Sequence, residues 1–184
     1  MAPEALREPL RTPRLELVPL AAGFVEAVVE GDARAAAREI GATVGRWLTL
    51  DPSHIVQLHL AAQAAEARGF PGLGRSIVHG ATGRPRRVLG SIGFHGPPDE
   101  RGRLEASCRI HPTHQGQGFA SEALGALLDW AAVRYGVTRF LVAVPSRQDH
   151  VPPIPVDIGF GRNQASDMQV DQIAGLLEPY GHPR

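Results

Sequence analysis

The chain has 184 residues, 43% apolar and 21% charged, a composition expected to give one domain (1–184) with a sizeable core and no disulfide or metal staple. Its 19 basic and 19 acidic residues cancel, so neither a nucleic-acid footprint nor a polybasic membrane patch is expected. All the basic residues are arginine, which leaves no lysine for an amine or Schiff-base mechanism, and the single Cys108 excludes a disulfide framework or a cysteine-rich zinc site.

MAPEALREPLRTPRLELVPL (1–20) is broken by charges and prolines, so it reads as neither signal peptide nor membrane span. A cytoplasmic protein with no membrane partner is the simplest expectation. RLELVPL (14–20) alternates and predicts a first strand. Residues 21–41 have helical periodicity but are broken at Gly31-Asp32, which predicts two short helices with Asp32 as N-cap of the second. Ser53 is the expected cap of a longer helix, HIVQLHLAAQAAEARG, ended by Gly69. RSIVHG and RVLGSIGFHG flank ATGRPR as a hairpin, and LEASCRI (104–110) continues the meander.

After a turn, Ala120, Ala123, Leu124, Leu127, Leu128 and Ala131 form an apolar helical stripe, with Gly136 placed to end it. FLVAV (140–144) is a continuous apolar run, the mark of a strand covered on both faces. The predicted class is therefore α/β, with a mixed, mostly antiparallel sheet.

The turn into that helix is HQGQGFAS. A helix N-terminus presents unpaired N–H groups and a positive dipole end, and glycine lets a ligand approach the backbone closely. The same glycines also suit a plain strand-to-helix turn. A Walker A loop is excluded by the absence of lysine. A dinucleotide fingerprint is poorly met, because Ser121 stands at its third glycine and no acidic residue ends a second strand. The remaining pattern, Q/R-x-x-G-x-G/A, is met by Gln115, Gly116, Gln117, Gly118, Phe119 and Ala120.

That hexapeptide resembles the acetyl-CoA pyrophosphate loop of the GNAT superfamily of N-acetyltransferases. Its surroundings resemble the same family over about residues 12–162: TPRLELVPL its opening strand, RRVLGSIGFHGPP its third strand, and LEASCRIHPTHQGQGFASEALGALLDWA its core. The likeness is closest to the branch containing ribosomal-protein N-terminal acetyltransferases. It implies the GNAT fold, a central sheet of six to seven strands flanked by helices. It also implies acetyl-CoA as co-substrate and a primary amine, on a protein N-terminus or a small molecule, as acceptor. A homodimer is a further implication of the family alone.

In that family the strands before and after the glycine-loop helix splay apart. Pantetheine would pair along Ile110, His111 and Pro112, and pyrophosphate would sit on the amides of Gln115 to Ala120. A neutral amine attacks the thioester directly, which requires a base for the ammonium, a donor for the oxyanion and an acid for the thiolate. Glu105, on LEASCRI, is the candidate base, with a solvent-facing strand glutamate as the plainer alternative.

The usual acid is a tyrosine on the next helix, and no tyrosine stands between Tyr135 and Tyr180. His150 lies in that segment, where a surface role is the plainer reading. Cys108 fills a position often held by tyrosine and is expected to pack. Trp47 suits a wall of the acceptor pocket or a buried anchor equally. Counting back from Gly159-Phe160 puts Gln148 where the family has asparagine and Val151 where it has serine. The glutamine amide is still long enough to reach pantetheine.

Pro152, Pro153 and Pro155 then fall inside the family's helix, at about 3 kcal/mol for each interior proline. An extended or irregular stretch over about 150–156 is expected instead. The next expectations are that GRNQASDMQV pairs back as a closing strand and that the tail after Asp171 is a short helix. The departure at 150–156 opens a second functional reading, a degenerate GNAT domain that binds CoA or a partner without efficient turnover. His111 and His114 are spaced for a metal, but no third ligand is evident and none is expected.

Overall fold

The computed structural model describes residues 8–80, 85–144 and 154–159, with backbone alone for 143–144 and 154–159. Seven strands form one sheet in chain order: β1 (Leu10–Arg11), β2 (Leu15–Pro19), β3 (Gly74–His79), β4 (Arg87–Phe94), β5 (Arg103–Ile110), β6 (Arg139–Val144) and β7 (Ile154–Gly159). Every pairing is antiparallel except β5 with β6, which is parallel because the helix between them carries the chain back. The mixed, mostly antiparallel α/β sheet expected from the sequence is what forms.

The alanine-rich segment splits as its Gly-Asp break predicts, into α1 (Ala22–Val29) and α2 (Ala33–Ile40). The Asp32 carboxylate accepts the Arg34 and Ala35 amides at 3.0 and 2.9 Å, filling donors the helix leaves open. α3 (Arg46–Leu50) and α4 (Ser53–Glu66) follow. Ser53 is not the cap expected of it. It is the first helical residue, and Asp51 accepts both its amide, at 3.3 Å, and its hydroxyl, at 2.6 Å. The helix also stops short of Gly69, at Glu66.

The long helix α5 (Phe119–Tyr135) ends on Gly136 at φ 67°. Its stripe meets one face of the sheet, where Ala123, Leu124, Leu127, Leu128 and Ala131 pack with Ile92, Phe94, Leu104, Ala106 and Ile110. Each leucine buried there contributes about 1.5–3 kcal/mol over exposure. Phe24, Val25, Val28, Ile40, Leu48 and Ile55 from the first four helices pack a second cluster against Val78 and Val88. Arg75 is fully buried on β3, donating to the Glu8 and Leu17 carbonyls at 3.1 Å and lying 4.7 Å over the Trp130 ring.

The strand contacts leave no room at two glycines. A Cβ on Gly93 would stand 2.6 Å from the Leu73 carbonyl oxygen, and one on Gly90 would stand 1.9 Å from that of Arg109. β4 is thereby pressed against β5, the strand that leads to the glycine turn.

β7 is extended over 154–156, as the prolines required, and it pairs with β6 with Pro155 opposite Ala143. It closes the sheet among the described residues, an edge where proline's missing N–H is tolerated. The helix implied by the family likeness is therefore replaced here by a strand. Residues 150–153, Gln148, all of GRNQASDMQV (161–170) and the tail after Asp171 lie outside the described residues.

Candidate functional site

β5 pairs with β6 only from Arg103↔Arg139 to Ser107↔Ala143, yet β5 itself continues to Ile110. Its last three residues therefore have β4 on one side and, among the described residues, no strand on the other. Strand alternation decides which groups face that gap. The Glu105 carbonyl accepts the His95 amide and the His111 amide donates to Leu89, so odd-numbered residues of β5 direct their backbone groups to β4. Even-numbered residues face the other way. The last parallel pair, Ser107↔Ala143, engages the Cys108 N–H with the Ala143 carbonyl. The Cys108 C=O and the Ile110 N–H therefore point into the gap, while the Ile110 carbonyl accepts the Gln115 side-chain amide at 2.8 Å.

This arrangement redistributes the pairing expected over Ile110, His111 and Pro112. The His111 amide is held by Leu89 at 2.9 Å and Pro112 has no N–H, so the open groups of the strand are the Ile110 N–H and, two residues earlier, the Cys108 carbonyl.

Beyond the gap lies the glycine loop. A single 3₁₀ turn, Pro112–His114, leads to Gln115, and Gly116 and Gly118 then take φ of 72° and 75°. That region is costly for any residue with a Cβ, which is the physical reason for both glycines. No side chain caps α5 at Gly118. Gln115, Gly116, Gln117 and Gly118 are exposed, Ala120 is half-buried and Phe119 is buried. The first amides of the helix therefore face outward without an internal acceptor.

Arg14, immediately before β2, braces this loop. It donates to the Gln117 carbonyl at 2.9 Å and to Glu122 at 2.6 Å, and lies 4.5 Å over the Phe119 ring. Burial works against ionisation of Glu122, but the hydrogen bonds from Thr12 and Arg14 outweigh it and hold the carboxyl below its usual range. The one acid in the first turn of α5 is thus a neutralised pair rather than a repulsive charge facing an incoming anion.

Glu105 stands exposed on the opposite face of β5 from α5, two residues before the fork at Ser107. That face carries a cluster the sequence reading missed. His54 of α4 contacts the Ser91 hydroxyl through Nδ1 at 2.6 Å and the Ser107 hydroxyl through Nε2 at 2.9 Å. His95 reaches the same Ser107 hydroxyl through Nε2 at 2.7 Å. Beside them Arg109 bonds Asp51, whose carboxyl is held down to about 2, chiefly by that guanidinium and by Ser53. Alternation along β4 and the residue after it (Ser91, Gly93, His95) and along β5 (Glu105, Ser107, Arg109) was the available signal, since each set shares one face.

Burial, with His95 and Arg109 nearby and Asp51 opposing, pushes His54 down to about 4. In the unfolded chain His54 would bind a proton near its ordinary value, so between about 4 and 6.5 the unfolded state holds more protons and stability rises with pH. Stability is expected to fall by up to about 3 kcal/mol as pH drops through that window. Urea melts of wild type and His54→Gln at pH 7.5, 6 and 5 check this, since the variant should lose most of the slope.

The two tyrosines offer no acid at the fork within the described residues. Tyr135 donates its hydroxyl to the Pro71 carbonyl and packs on Phe70 and Trp130, and Tyr180 lies outside them. His150 lies outside them also. Cys108 is half-buried against the core, and burial pushes its thiol up to about 12, so it packs as expected and is no nucleophile at neutral pH. Trp47 is half-buried with its ring 4.8 Å from that of His111, on the side of the gap nearest α3. His111 turns Nδ1 to the Thr113 hydroxyl at 2.8 Å, and no group of three or more histidine, cysteine or acidic residues is placed to hold a metal among the described residues. Nor is any helix among them long and apolar enough to cross a membrane.

Comparison with known proteins agrees with this fold. The family described as acetyltransferase (GNAT) domain matches residues 14–150, and the chain belongs to that family. A curated relative, the uncharacterized N-acetyltransferase YjdG of Bacillus subtilis (strain 168), is 36% identical over 52 residues, 28% of this chain and 31% of that protein. The shared segment thus spans under a third of the relative's length. Among solved structures, a candidate ribosomal-protein-serine acetyltransferase from Vibrio cholerae is similar at 14% identity and a TM-score of 0.52, over 87% of this chain and 99% of that one. At that identity the likeness is one of fold. An acetyltransferase from Agrobacterium tumefaciens str. C58 is 27% identical, with a TM-score of 0.47 over 77% of this chain and 76% of that one.

Proposed function

We propose that the protein transfers the acetyl group of acetyl-CoA directly to a primary amine, and that the chain acts as one domain. The observation carrying this is the fork: β5 runs past its last pairing with β6 and delivers the chain into an open, glycine-built helix N-terminus. Pantetheine adds to the gap as a short strand, on the Cys108 and Ile110 groups. Pyrophosphate lies on the amides of Gln115 to Ala120, where the helix dipole favours its charge. Glu105 is the base toward which the ammonium proton finally leaves, directly or through intervening groups. The acceptor is a protein N-terminus or a small-molecule amine that reaches the fork from the α3–α4 side, past Trp47. Gln148 supplies an amide to pantetheine.

The loop assignment is tested by calorimetry with CoA. Asparagine tolerates positive φ, so Gly118→Asn keeps the turn while placing a side chain over the amides. Affinity is expected to fall at least about tenfold, or about 1.4 kcal/mol. Gly118→Val should fall further and melt earlier, because a β-branched residue is poorly tolerated at φ 75°. Unchanged affinity in a folded Gly118→Asn protein rejects the site.

β7 favours a second reading, a domain that binds CoA without efficient turnover, since a strand occupies the segment where the family's acid stands. Release of CoA thiol from acetyl-CoA with a panel of primary amines separates the two.

A further inference from the structure

The polar chain on the α4 face has a direction fixed by its hydrogen atoms. Ser91 is 2% exposed, and its hydroxyl proton has His54 Nδ1 as its acceptor among the described residues. A buried hydroxyl that failed to donate would cost about 1–3 kcal/mol. His54 Nδ1 is therefore the bare nitrogen, and the ring carries its proton on Nε2, which donates to Ser107. Ser107 has one proton of its own, and with His54 already donating to it, that proton points to His95 Nε2. The order is Ser91 to His54 to Ser107 to His95. One lone pair on the Ser107 oxygen is left over.

Ser107 is also the residue at the fork, opposite Ala143 in the last β5–β6 pair. Glu105 lies about 7 Å away along the strand, too far to share one small amine with it without an intermediary. Glu105 is, however, directly opposite His95, whose amide bonds its carbonyl at 2.8 Å, and such pairs present their side chains on one face.

Resting on the acetyl-transfer reading, we propose that Ser107 is a catalytic residue that removes the ammonium proton of the acceptor and passes its own hydroxyl proton to His95, with His54 as the positioning residue that sets the direction. The ammonium N–H bond breaks and its proton joins the Ser107 oxygen, while the Ser107 hydroxyl proton bonds His95 Nε2. The amine keeps the electron pair and attacks. His95 then releases its Nδ1 proton to water or to Glu105, which stabilises the imidazolium. Ser107 already holds the ammonium's proton, and the chain resets when the imidazole exchanges its Nε2 proton for one on Nδ1 through water and the Ser107 hydroxyl turns back to the bared nitrogen. His54, facing Ser91, Ser107, His95, Arg109 and Asp51, stays neutral throughout, since burial holds it far below neutrality. A charged His54 would donate from both nitrogens and reverse the Ser91 bond.

Two measurements test this. In ¹⁵N-histidine spectra of the unliganded protein at pH 7, His54 is expected as the neutral Nε2–H form and His95 as the Nδ1–H tautomer. Ser107→Ala should move the His95 Nε2 resonance. His54 found as the Nδ1–H form or as a cation overturns the proposal. With an amine that wild type acetylates, Ser107→Ala should lower kcat at least about tenfold, water replacing the hydroxyl in part. Its CoA dissociation constant should match wild type, and Ser107→Thr, which keeps a hydroxyl, should restore most of the rate. A Ser107→Ala protein with wild-type kcat overturns the relay and leaves acetyl transfer standing. A wild-type protein that binds CoA and acetylates none of a free-amine peptide, a polyamine and an aminosugar brings down both.

Discussion

Gly90→Ala is expected to destabilise the protein by about 3 kcal/mol or more, at the upper end of the cost of overpacking. The added methyl would stand 1.9 Å from the Arg109 carbonyl oxygen, 2.9 Å from its carbon and 3.0 Å from the Ile110 Cα. All three are backbone atoms in a paired strand, so none can rotate aside. Either β4 and β5 separate, losing ladder bonds at the flanking Leu89–His111 and Ser91↔Arg109 pairs, or β5 bends toward the gap. For a chain of this size the loss corresponds to a melting point lower by about 6–12 °C. Gly23→Ala is the matched control: its methyl meets only the flexible Glu39 carboxylate, at 2.8 Å, and the site lies in α1. It should fall within about 0.5 kcal/mol of wild type, since alanine is the better helix former and Glu39 can swing away. Equal melting points for Gly90→Ala and wild type would contradict the strand spacing described above. The function follows the fold here, because a displaced β5 also moves the Cys108 and Ile110 groups in the gap.

What the sequence made legible was local. The Gly31-Asp32 break, the stripe from Ala123 to Ala131, Gly136 and the glycine loop each depend on residues within a few positions, so periodicity and φ requirements expose them. The prolines at 153 and 155 were legible for the same reason, and the segment 154–156 is extended. β1 was missed because two residues carry no alternation to read. Ser53 was misjudged because two polar residues two positions apart can both cap, and only geometry shows Asp51 accepting from it. The His54–Ser107–His95 chain was out of reach for a different reason. Its contacts join α4 to β4 and β5 across 37 and 53 residues, and depend on a register that includes a bulge between Ile77 and Val78. Glu105 could be singled out by position on its strand, whereas the histidine opposite it needed the pairing.

Glu105→Gln should lower kcat by about a hundredfold or more while leaving CoA affinity unchanged, the expected size for loss of general base catalysis. Glu105 is exposed at the outer end of the polar face, and the cofactor loop lies beyond the other end of β5, about 17 Å from it along the strand. That separation is why binding and turnover should part company. Glutamine keeps the shape and hydrogen-bonding capacity of the side chain but neither attracts an ammonium ion nor receives its proton. The acidic limb of the rate–pH profile should therefore disappear in Glu105→Gln, whereas in Ser107→Ala it should persist at a lower plateau. The two variants together locate the proton. If both lose the limb, it rests on the serine–histidine chain and Glu105 only steadies it; if Glu105→Gln alone does, the carboxylate is the terminal acceptor. An unaltered profile and near-native turnover in Glu105→Gln would make this residue an ordinary solvent-facing glutamate, and the ammonium proton would then leave from His95 to water directly.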